Sequence, residues 1–374
     1  MQIALIETSP SEQKGSMRRY TELLIQALLQ TNNHEKIKIS RINLALPYSL
    51  LFRVPFSFRS WFHHFWIILN ASTKLPKIHA DIFHIMDGSQ AYISDWIKQP
   101  LSIATAHDII PFLQLLGHLD NSHLGKSSGW VIKKSIKGLQ QVHHIIAVSN
   151  NTAKDLNLFA NINSKTVSII PHATPQGILS KVNSAQTISW SERRKSKHAF
   201  ILHVGNNAFY KNRERLLRIF AKVRSFCEIE LKLVGSPLSP KEKQIIRELE
   251  IANFVSFIDN PDDDTLFDLY RKASLFLFPS LYEGFGWPPL EAMALGCPVV
   301  CSNAASLPEV VGDAALTCSP DDEKMMAENC LAVLNDASLA NDLIERGSNR
   351  VKLFSPERMG RQVMGVYKKV LSQI

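Results

Sequence analysis

The chain has 374 residues, enough for two domains, and its 45% hydrophobic and 20% charged residues exclude a disordered or fibrous protein. The five cysteines are odd in number, lie in the second half and lack C-x-x-C spacing, so they predict reduced, mostly buried thiols. The net charge of +8 comes from residues 1–183, which carry 18 Lys and Arg against 10 Asp and Glu. That half therefore either faces an anionic partner or has a basic solvated surface.

The first ten residues, MQIALIETSP, contain a short apolar run without a basic start, which predicts a β-strand over Gln2–Glu7 and not a signal peptide. No stretch approaches the ~20 apolar residues of a membrane span. We therefore expect a cytoplasmic protein. A loop containing Gly15 follows the strand, and apolar spacings of three and four then predict a helix. A glycine at this turn can admit a phosphate, although a plain strand-to-helix turn explains it equally well.

Residues 48–78 follow a strand over 37–42 and combine many aromatic residues with arginine and lysine, without any acidic residue. This composition is typical of a helix that lies on an anionic membrane surface, because apolar burial and attraction to lipid headgroups act together. A buried helix of an α/β layer is the alternative interpretation. The stretch is the candidate contact with a membrane.

Two buried strands, over 81–86 and 101–106, precede His107 and Asp108. Polar residues at the carboxyl end of a buried strand point towards a ligand crevice, although a single histidine is often structural. We expect Asp108 to brace the turn. After a further strand over 144–148, residues 178–198 are polar and break the apolar periodicity, which predicts the connection between two domains.

The second half begins with a strand over 200–204, followed by Gly205, Asn206 and, just before a helix, Lys211. A lysine in a glycine-led loop at a helix N-terminus suits a phosphate, whereas an exposed loop lysine is the ordinary alternative. The next strand ends in Gly235 and Ser236, a second loop at the same edge. Residues 262–264 are all aspartate directly before a helix, where acids cap the N-terminus, so no metal site is predicted.

Residues 276–309 predict strand, loop, helix and strand, with Glu283 in the loop and Glu291 in the first helical turn. Gly284 and Gly286 flank Phe285 and free the backbone to approach a ligand. A carboxylate that only interacts with the helix dipole is the alternative for Glu291. Two glutamates eight residues apart around a Gly-Phe-Gly turn predict a ligand site.

The two glutamates with the intervening GFGWPPL resemble the E-x7-E motif of the family 4 retaining glycosyltransferases, which have the GT-B fold. The resemblance continues in LPEVVGD (307–313), TAHDIIPF (105–112) and the C-terminal FSPERMGRQVMGVYKKVL, so it spans nearly the whole chain. It implies an α/β protein with two doubly wound Rossmann-like domains facing a cleft. Residues 1–183 would form the acceptor-side domain, with 356–374 crossing back onto it. Residues 184–355 would bind the nucleotide-sugar.

The resemblance implies transfer of a sugar from a nucleotide-diphosphate sugar to a glycan or lipid-linked acceptor, without a cofactor or metal, in cell-surface polysaccharide synthesis. Glu283 would contact the donor sugar, Lys211 would neutralise the diphosphate, and His107 would lie beside the sugar; these are the predicted catalytic residues. Glu291 would hold the ribose hydroxyls. The other predicted donor-binding residues are Phe285, Gly286, Gly205, Asn206, Gly15, Gly235 and Ser236.

The chain departs from the family pattern at Asn206 and Tyr210, where arginines are common. The residues that would bind the diphosphate therefore carry less positive charge, unless Arg213 and Arg215 compensate. A non-catalytic nucleotide-sugar-binding protein, or a GT-B relative that hydrolyses or epimerises the nucleotide-sugar, is the alternative function. Nucleic-acid binding ranks last because the sequence contains no motif for it. The expected location is the cytoplasm, peripheral to the inner membrane face, and the sequence does not define an oligomeric state.

Overall fold

The computed structural model describes residues 1–10, 15–31, 37–51, 53–55, 58–98, 101–120, 128–179 and 188–373. It divides the chain into two compact units. Unit 1 comprises Met1–Ala173 and Pro356–Ile374, and unit 2 comprises Thr174–Ser355. Lys14, Phe52, Phe56 and residues 180–187 of the predicted connection 178–198 lie outside the described residues.

Unit 1 is built on a parallel six-stranded sheet in the order β2-β1-β3-β4-β5-β6. Its strands are β1 (Gln2–Glu7), β2 (Lys38–Asn43), β3 (Ile82–Ile85), β4 (Ser102–Ala106), β5 (His144–Ala147) and β6 (Val167–Ile169). Its first helices are α1 (Ser16–Thr31), α2 (Tyr48–Leu51), α3 (Arg59–Lys74), α4 (Ile110–Leu115), α5 (Ser128–Gln141) and α6 (Asn150–Ala160). The central strands β3, β4 and β5 are wholly buried, as expected of a parallel sheet covered on both faces.

Unit 2 has a second parallel sheet, in the order β12-β11-β10-β7-β8-β9. Its strands are β7 (Phe200–Gly205), β8 (Glu230–Gly235), β9 (Val255–Asp259), β10 (Leu275–Phe278), β11 (Val299–Ser302) and β12 (Ala315–Cys318). Its helices are α7 (Trp190–Lys195), α8 (Arg213–Arg224), α9 (Pro240–Glu248), α10 (Asp263–Lys272), α11 (Trp287–Ala294), α12 (Leu307–Val311), α13 (Glu323–Asn335) and α14 (Ala337–Val351). The α/β class with two doubly wound sheets is confirmed.

The last helix, α15 (Pro356–Leu371), belongs to unit 1 and packs against α1. The two helices cross closely, since a Cβ on Gly360 would lie 2.4 Å from the carbonyl oxygen of Ala27. Tyr367 is fully buried, and its hydroxyl lies 2.7 Å from Nδ1 of His84 on β3. The prediction that the C-terminal helix returns to the first domain is confirmed.

Residues 59–74 of the aromatic and basic stretch form α3, which is not the buried helix of the alternative interpretation. Only Ile67 and Ala71 of α3 are buried. Several of its large apolar side chains are exposed to solvent instead. No helix in the described part of the chain is long and apolar enough to cross a membrane.

The predicted connection over 178–198 is wrong for residues 189–195, which form a capped helix of unit 2. Ser189 caps α7 through a capping box with Glu192. Trp190 is 4% exposed, packs in the core of unit 2 and donates its indole N–H to the carbonyl oxygen of Ser274 at 2.8 Å. The polar composition around Trp190 concealed this anchor, because a single buried residue on a short helix leaves little periodicity.

The five cysteines are free thiols, and all except Cys227 are buried. Burial raises the pKa of Cys297 to about 12 and that of Cys318 to about 11. Both therefore stay protonated at neutral pH, and the prediction of reduced, mostly buried thiols is confirmed.

Candidate functional site

The strand order of unit 2 locates a crevice between β7 and β10. From β7 the chain moves outwards through β8 and β9, and then returns to β10 and continues to β12 on the other side. β7 and β10 are hydrogen-bonded neighbours, with Leu275 opposite Ile201. Ligands of doubly wound sheets bind at the carboxyl ends of the strands where the order reverses. The loops that leave at this point are 206–212 and 279–286.

Hydrogen bonds between these two loops bring Lys211 and Glu283 together. The side-chain amide of Asn212 donates to the carbonyl oxygen of Pro279 at 2.9 Å, and the N–H of Leu281 donates to that of Tyr210 at 2.7 Å. Nζ of Lys211 then lies 2.8 and 3.0 Å from the two carboxylate oxygens of Glu283. Two residues 72 positions apart thus form one ion pair at the switch point.

The ion pair is largely removed from solvent. The side chains of Lys211 and Glu283 are 12% and 10% exposed. Nζ of Lys211 also lies 5.1 Å from the ring centroid of Phe278 and 5.5 Å from that of Tyr210, within cation–π range. A desolvated ion pair contributes little net stability, because the lost hydration offsets the attraction. A charged pair held at a crevice is therefore better explained by what it binds.

Ser306 and Gly286 fix the shape of the loop after Glu283. The hydroxyl of Ser306 lies 2.8 Å from the carbonyl oxygen of Glu283 and 2.6 Å from that of Phe285, and it donates to both. Gly286 has φ of +118°, and a Cβ there would lie 2.8 Å from Leu307. Only glycine fits this position without strain, which explains the Gly-Phe-Gly turn.

Glu291 lies in the second turn of α11, and the prediction that it lies in the first turn is wrong. The helix begins at Trp287, one residue before the two prolines, and its first turn contains no acidic residue. The macrodipole acts on the first turn, so it does not explain a carboxylate that is only 2% exposed. The hydroxyl of Tyr270 donates to Oε2 of Glu291 at 3.2 Å.

A second pair of loops meets at the ends of β7 and β8, where Gly205 lies opposite Gly235. Gly235 has φ of +132°, and a Cβ there would lie 2.3 Å from the carbonyl oxygen of Gly205. Asn206 shapes its own loop, because its side-chain oxygen accepts the N–H of Ala208 at 3.1 Å. The carbonyl oxygen of Ser236 accepts from Arg213 at 2.8 Å. The backbone here approaches as closely as glycine permits.

The two arginines expected to compensate for Asn206 and Tyr210 have other partners in the protein. Arg213 is 4% exposed and lies 2.9 Å from a carboxylate oxygen of Glu242, and burial lowers its pKa against the opposing effect of that carboxylate. Arg215 donates to the carbonyl oxygen of Pro320 at 2.7 Å and pairs with Asp321. Lys211 is thus the cation that the structure places at the switch point.

The helix starts beside the ion pair lack the side-chain caps found on other described helices of unit 2. Ser239 caps α9, and Asp262 caps α10 by accepting the N–H of Thr265 at 2.8 Å. The predicted capping role of Asp262 is confirmed. By contrast, α8 begins after Asn212 and α11 after Gly286, both with positive φ and without a side-chain hydrogen bond to the first turn. The leading N–H groups of α8 can receive the oxygens of an anionic ligand, whereas the second and third residues of α11 are prolines, which carry no N–H.

His107 of unit 1 takes part in a buried histidine pair. Its Nε2 lies 2.9 Å from the carbonyl oxygen of Met86, so that nitrogen carries the hydrogen, and its Nδ1 lies 3.2 Å from Nε2 of His172. Burial lowers the pKa of both rings. Two neutral rings require His172 to donate to His107. Tyr20 packs edge-on against both rings, at 4.8 and 4.9 Å.

The remaining predicted residue of unit 1, Gly15, directly precedes α1, and a Cβ there would meet open space. Three residues without a predicted role now join the description: His172, Tyr270 and Ser306. Ser306 lies inside the stretch 276–309, but the sequence did not indicate its contacts with Glu283 and Phe285. The sequence likewise did not indicate that His172 contacts His107. Clusters of three or more His, Cys, Asp or Glu side chains able to hold a metal are absent from the described residues.

Comparison with known proteins agrees with this geometry. Residues 184–350 match the sequence model of the glycosyl transferases group 1. The O-antigen chain mannosyltransferase B of Escherichia coli is 35% identical over 173 residues, which cover 45% of each chain. The O-antigen chain mannosyltransferase RfbU of Salmonella typhimurium is 28% identical over 69% of this chain and 67% of its own. The chain thus spans less than half of the first relative.

The fold is shared over nearly the full length with a solved structure. Anabaena Alr3699/HepE, in complex with UDP and glucose, superposes with a TM-score of 0.71, at 15% identity, covering 99% of this chain and 100% of that one. At this identity the likeness establishes the GT-B architecture alone. The predicted fold and the resemblance to group 1 glycosyltransferases are confirmed, and the assignment to family 4 stays a prediction.

Proposed function

We propose that the protein is a retaining glycosyltransferase, which moves a hexose from a nucleotide-diphosphate sugar to a glycan or lipid-linked acceptor in cell-surface polysaccharide synthesis. The observation that carries the proposal is the desolvated pair of Lys211 and Glu283 at the switch point of unit 2, beside the uncapped start of α8. A cation, a carboxylate and free N–H groups are the partners that a diphosphate joined to a sugar requires.

Each side chain then has one task. Lys211 turns from Glu283 to the diphosphate and, with the leading N–H groups of α8, stabilises the negative charge that develops on the leaving group. Glu283, released by Lys211, accepts hydrogen bonds from sugar hydroxyls. Glu291 accepts two hydrogen bonds from the ribose, and Tyr270 holds its carboxylate in place. The amides of Phe285 and Gly286 add neutral donors.

The loops that begin with glycine allow the ligand to approach the backbone closely. Gly205 and Gly235 leave no side chain at the ends of β7 and β8, and Asn206 and Ser236 continue these loops. In unit 1, Gly15 offers an equally open backbone before α1. Both ring nitrogens of His107 have protein partners, so a direct hydrogen bond from His107 to the sugar requires the His172 contact to open.

Mannose is the favoured sugar, because both relatives described above are O-antigen chain mannosyltransferases. A nucleotide-diphosphate sugar as the donor is supported by the UDP and glucose in the solved structure of Alr3699/HepE. The reaction is proposed to need no metal, with Lys211 supplying the positive charge. A location at the inner face of the membrane, through residues 48–78, agrees with the exposed aromatic side chains of α3.

A release assay tests the proposal. UDP-, GDP-, ADP- and dTDP-sugars are offered with and without a bacterial lipid extract, and we expect nucleotide release from one donor class, increased by the extract. Lys211→Met and Glu283→Gln should each lower turnover at least ~10²-fold at saturating donor. Lys272→Met, which removes an exposed lysine of α10, is the matched control and should keep full turnover.

Other outcomes identify the alternatives. Near-wild-type turnover of either ion-pair variant would refute the assigned roles. Donor binding without release would indicate a non-catalytic binding protein. Release that is independent of any acceptor would indicate a hydrolase.

A further inference from the structure

Unit 1 contains an apolar cavity of about 650 Å³ that is lined by residues of this unit. It follows the carboxyl ends of β3 and β4 and is enclosed by α3, α4, α5 and the segment 88–96. Its walls are mostly aromatic and aliphatic, and they include Phe65, Phe112, Trp130, Ile132 and Leu139. Most of this lining offers no hydrogen bond.

The cavity adjoins an exposed apolar stripe on α3. Phe58, Trp61, Phe65 and Leu69 follow one another at intervals of three or four, so they share one side of the helix, and they are 61%, 60%, 47% and 46% exposed. The rings of Trp61 and Phe65 stack with centroids 5.5 Å apart, and both residues line the cavity. A contiguous exposed apolar surface beside a cavity is typical of a binding site.

The two long helices that border the cavity carry positive charge, although their basic side chains are not among the residues that line it. α3 and α5 together contain five lysines and arginines and no aspartate or glutamate. Unit 1 as a whole carries 21 Lys and Arg against 11 Asp and Glu, a net charge of +10. The surroundings therefore favour an anionic ligand, whereas the interior favours an apolar one.

The cavity also has polar groups in its lining, which come from α3, the segment 88–96, Asp108 and, as Ser128 and Ser135, from α5. His64 lies 3.0 Å from the hydroxyl of Tyr92, which donates to Gln90 at 2.7 Å. Burial lowers the pKa of His64 to about 4, so the ring is neutral at physiological pH. Asp108 is the acid of this lining, and it braces its turn by accepting the N–H of Ile110 at 2.9 Å, as predicted. A few polar groups in a mostly apolar lining suit an amphiphile better than a free sugar, whose hydroxyls need partners on every side.

We propose that this cavity holds the hydrocarbon chain of an anionic, lipid-linked acceptor, while the basic side chains of α3 and α5 attract its phosphate. The inference rests on the proposed glycosyl transfer, since it names the class of acceptor. The chain fills the aliphatic part of the cavity and is covered by Trp61 and Phe65. The sugar end lies on the side of Asp108 and Gln90.

Direct binding tests this without any donor or transfer. Butyl, octyl and dodecyl phosphate, each below its micelle concentration, are titrated into the full chain by calorimetry, with inorganic phosphate as the headgroup control. We expect affinity to rise about fourfold for each added methylene, equivalent to about 0.8 kcal/mol, until the cavity is full. Inorganic phosphate should show no measurable binding at the same concentrations.

Two variants locate the site. Ile132→Trp fills the cavity and should weaken dodecyl phosphate at least ~10-fold, whereas Leu29→Trp, on an exposed position of α1, should not. Trp61→Glu removes the cover and should weaken binding similarly, with Leu29→Glu as its control, since the two side chains are 60% and 61% exposed. Thermal unfolding of each variant verifies that it folds.

Affinity without dependence on chain length, or equal losses in the Leu29 controls, would overturn the proposal. Sugar transfer is measured separately, with a soluble oligosaccharide and a lipid-linked one as acceptors. Ile132→Trp should slow transfer only to the lipid-linked acceptor. Chain-dependent binding with no transfer to either acceptor would refute the proposed function while supporting the cavity as a lipid site.

Discussion

Replacing Lys211 and Glu283 singly and together separates their effect on the stability of the protein from their effect on ligand binding. Removing one partner leaves the other charge largely buried, since only 12% and 10% of the two side chains are exposed. Breaking a buried pair in this way costs about 3–5 kcal/mol, whereas replacing both charges is close to neutral. For a unit of this size, 1 kcal/mol shifts the unfolding midpoint by about 2–4 °C.

Lys211→Met and Glu283→Gln should therefore each lower the midpoint of unit 2 by about 6 °C or more in the absence of donor. The double variant should unfold within about 3 °C of the wild type and still lack activity, because the charges and not the fold serve the ligand. Thermal melts followed by circular dichroism, combined with nucleotide release, measure both quantities.

An exposed pair provides the control. Lys272 and Asp268 lie 3.2 Å apart with side chains 57% and 55% exposed, and Lys272→Met should move the midpoint by no more than about 2 °C. Single ion-pair variants that melt like this control, or a double variant as unstable as the singles, would refute the reasoning.

Two further predictions concern backbone and pH. Gly235→Ala should destabilise unit 2 by at least ~1–3 kcal/mol in urea unfolding, since its φ of +132° and the carbonyl of Gly205 exclude a Cβ, whereas Gly15→Ala should be neutral. Burial, and to a smaller degree His107, lower the pKa of His84 to about 3. The stability that neutral His84 contributes is therefore fully present above its ordinary pKa of 6.5, and it is lost as the pH falls from 6.5 towards 3. His84→Gln should reduce the slope of unfolding free energy against pH by up to ~1.4 kcal/mol per unit in that window, and an unchanged slope would contradict a neutral His84.

The sequence by itself determined the strands, most helices and the region of the donor site. Continuous apolar runs define parallel strands, glycines mark the loops that follow them, and the spacing of Glu283 and Glu291 carries the family resemblance. These features are local, because propensity, turn geometry and motif spacing act over a few residues.

Only the tertiary structure decided which residues meet. Lys211 and Glu283 are 72 positions apart, and His107 and His172 are 65 apart; both contacts arise because parallel strands place their carboxyl ends at one edge of a sheet. The same holds for the burial of Trp190 in a polar stretch and for the exposure of Trp61 on an aromatic one. Burial depends on what packs against a side chain, and the residues that pack come from distant parts of the chain.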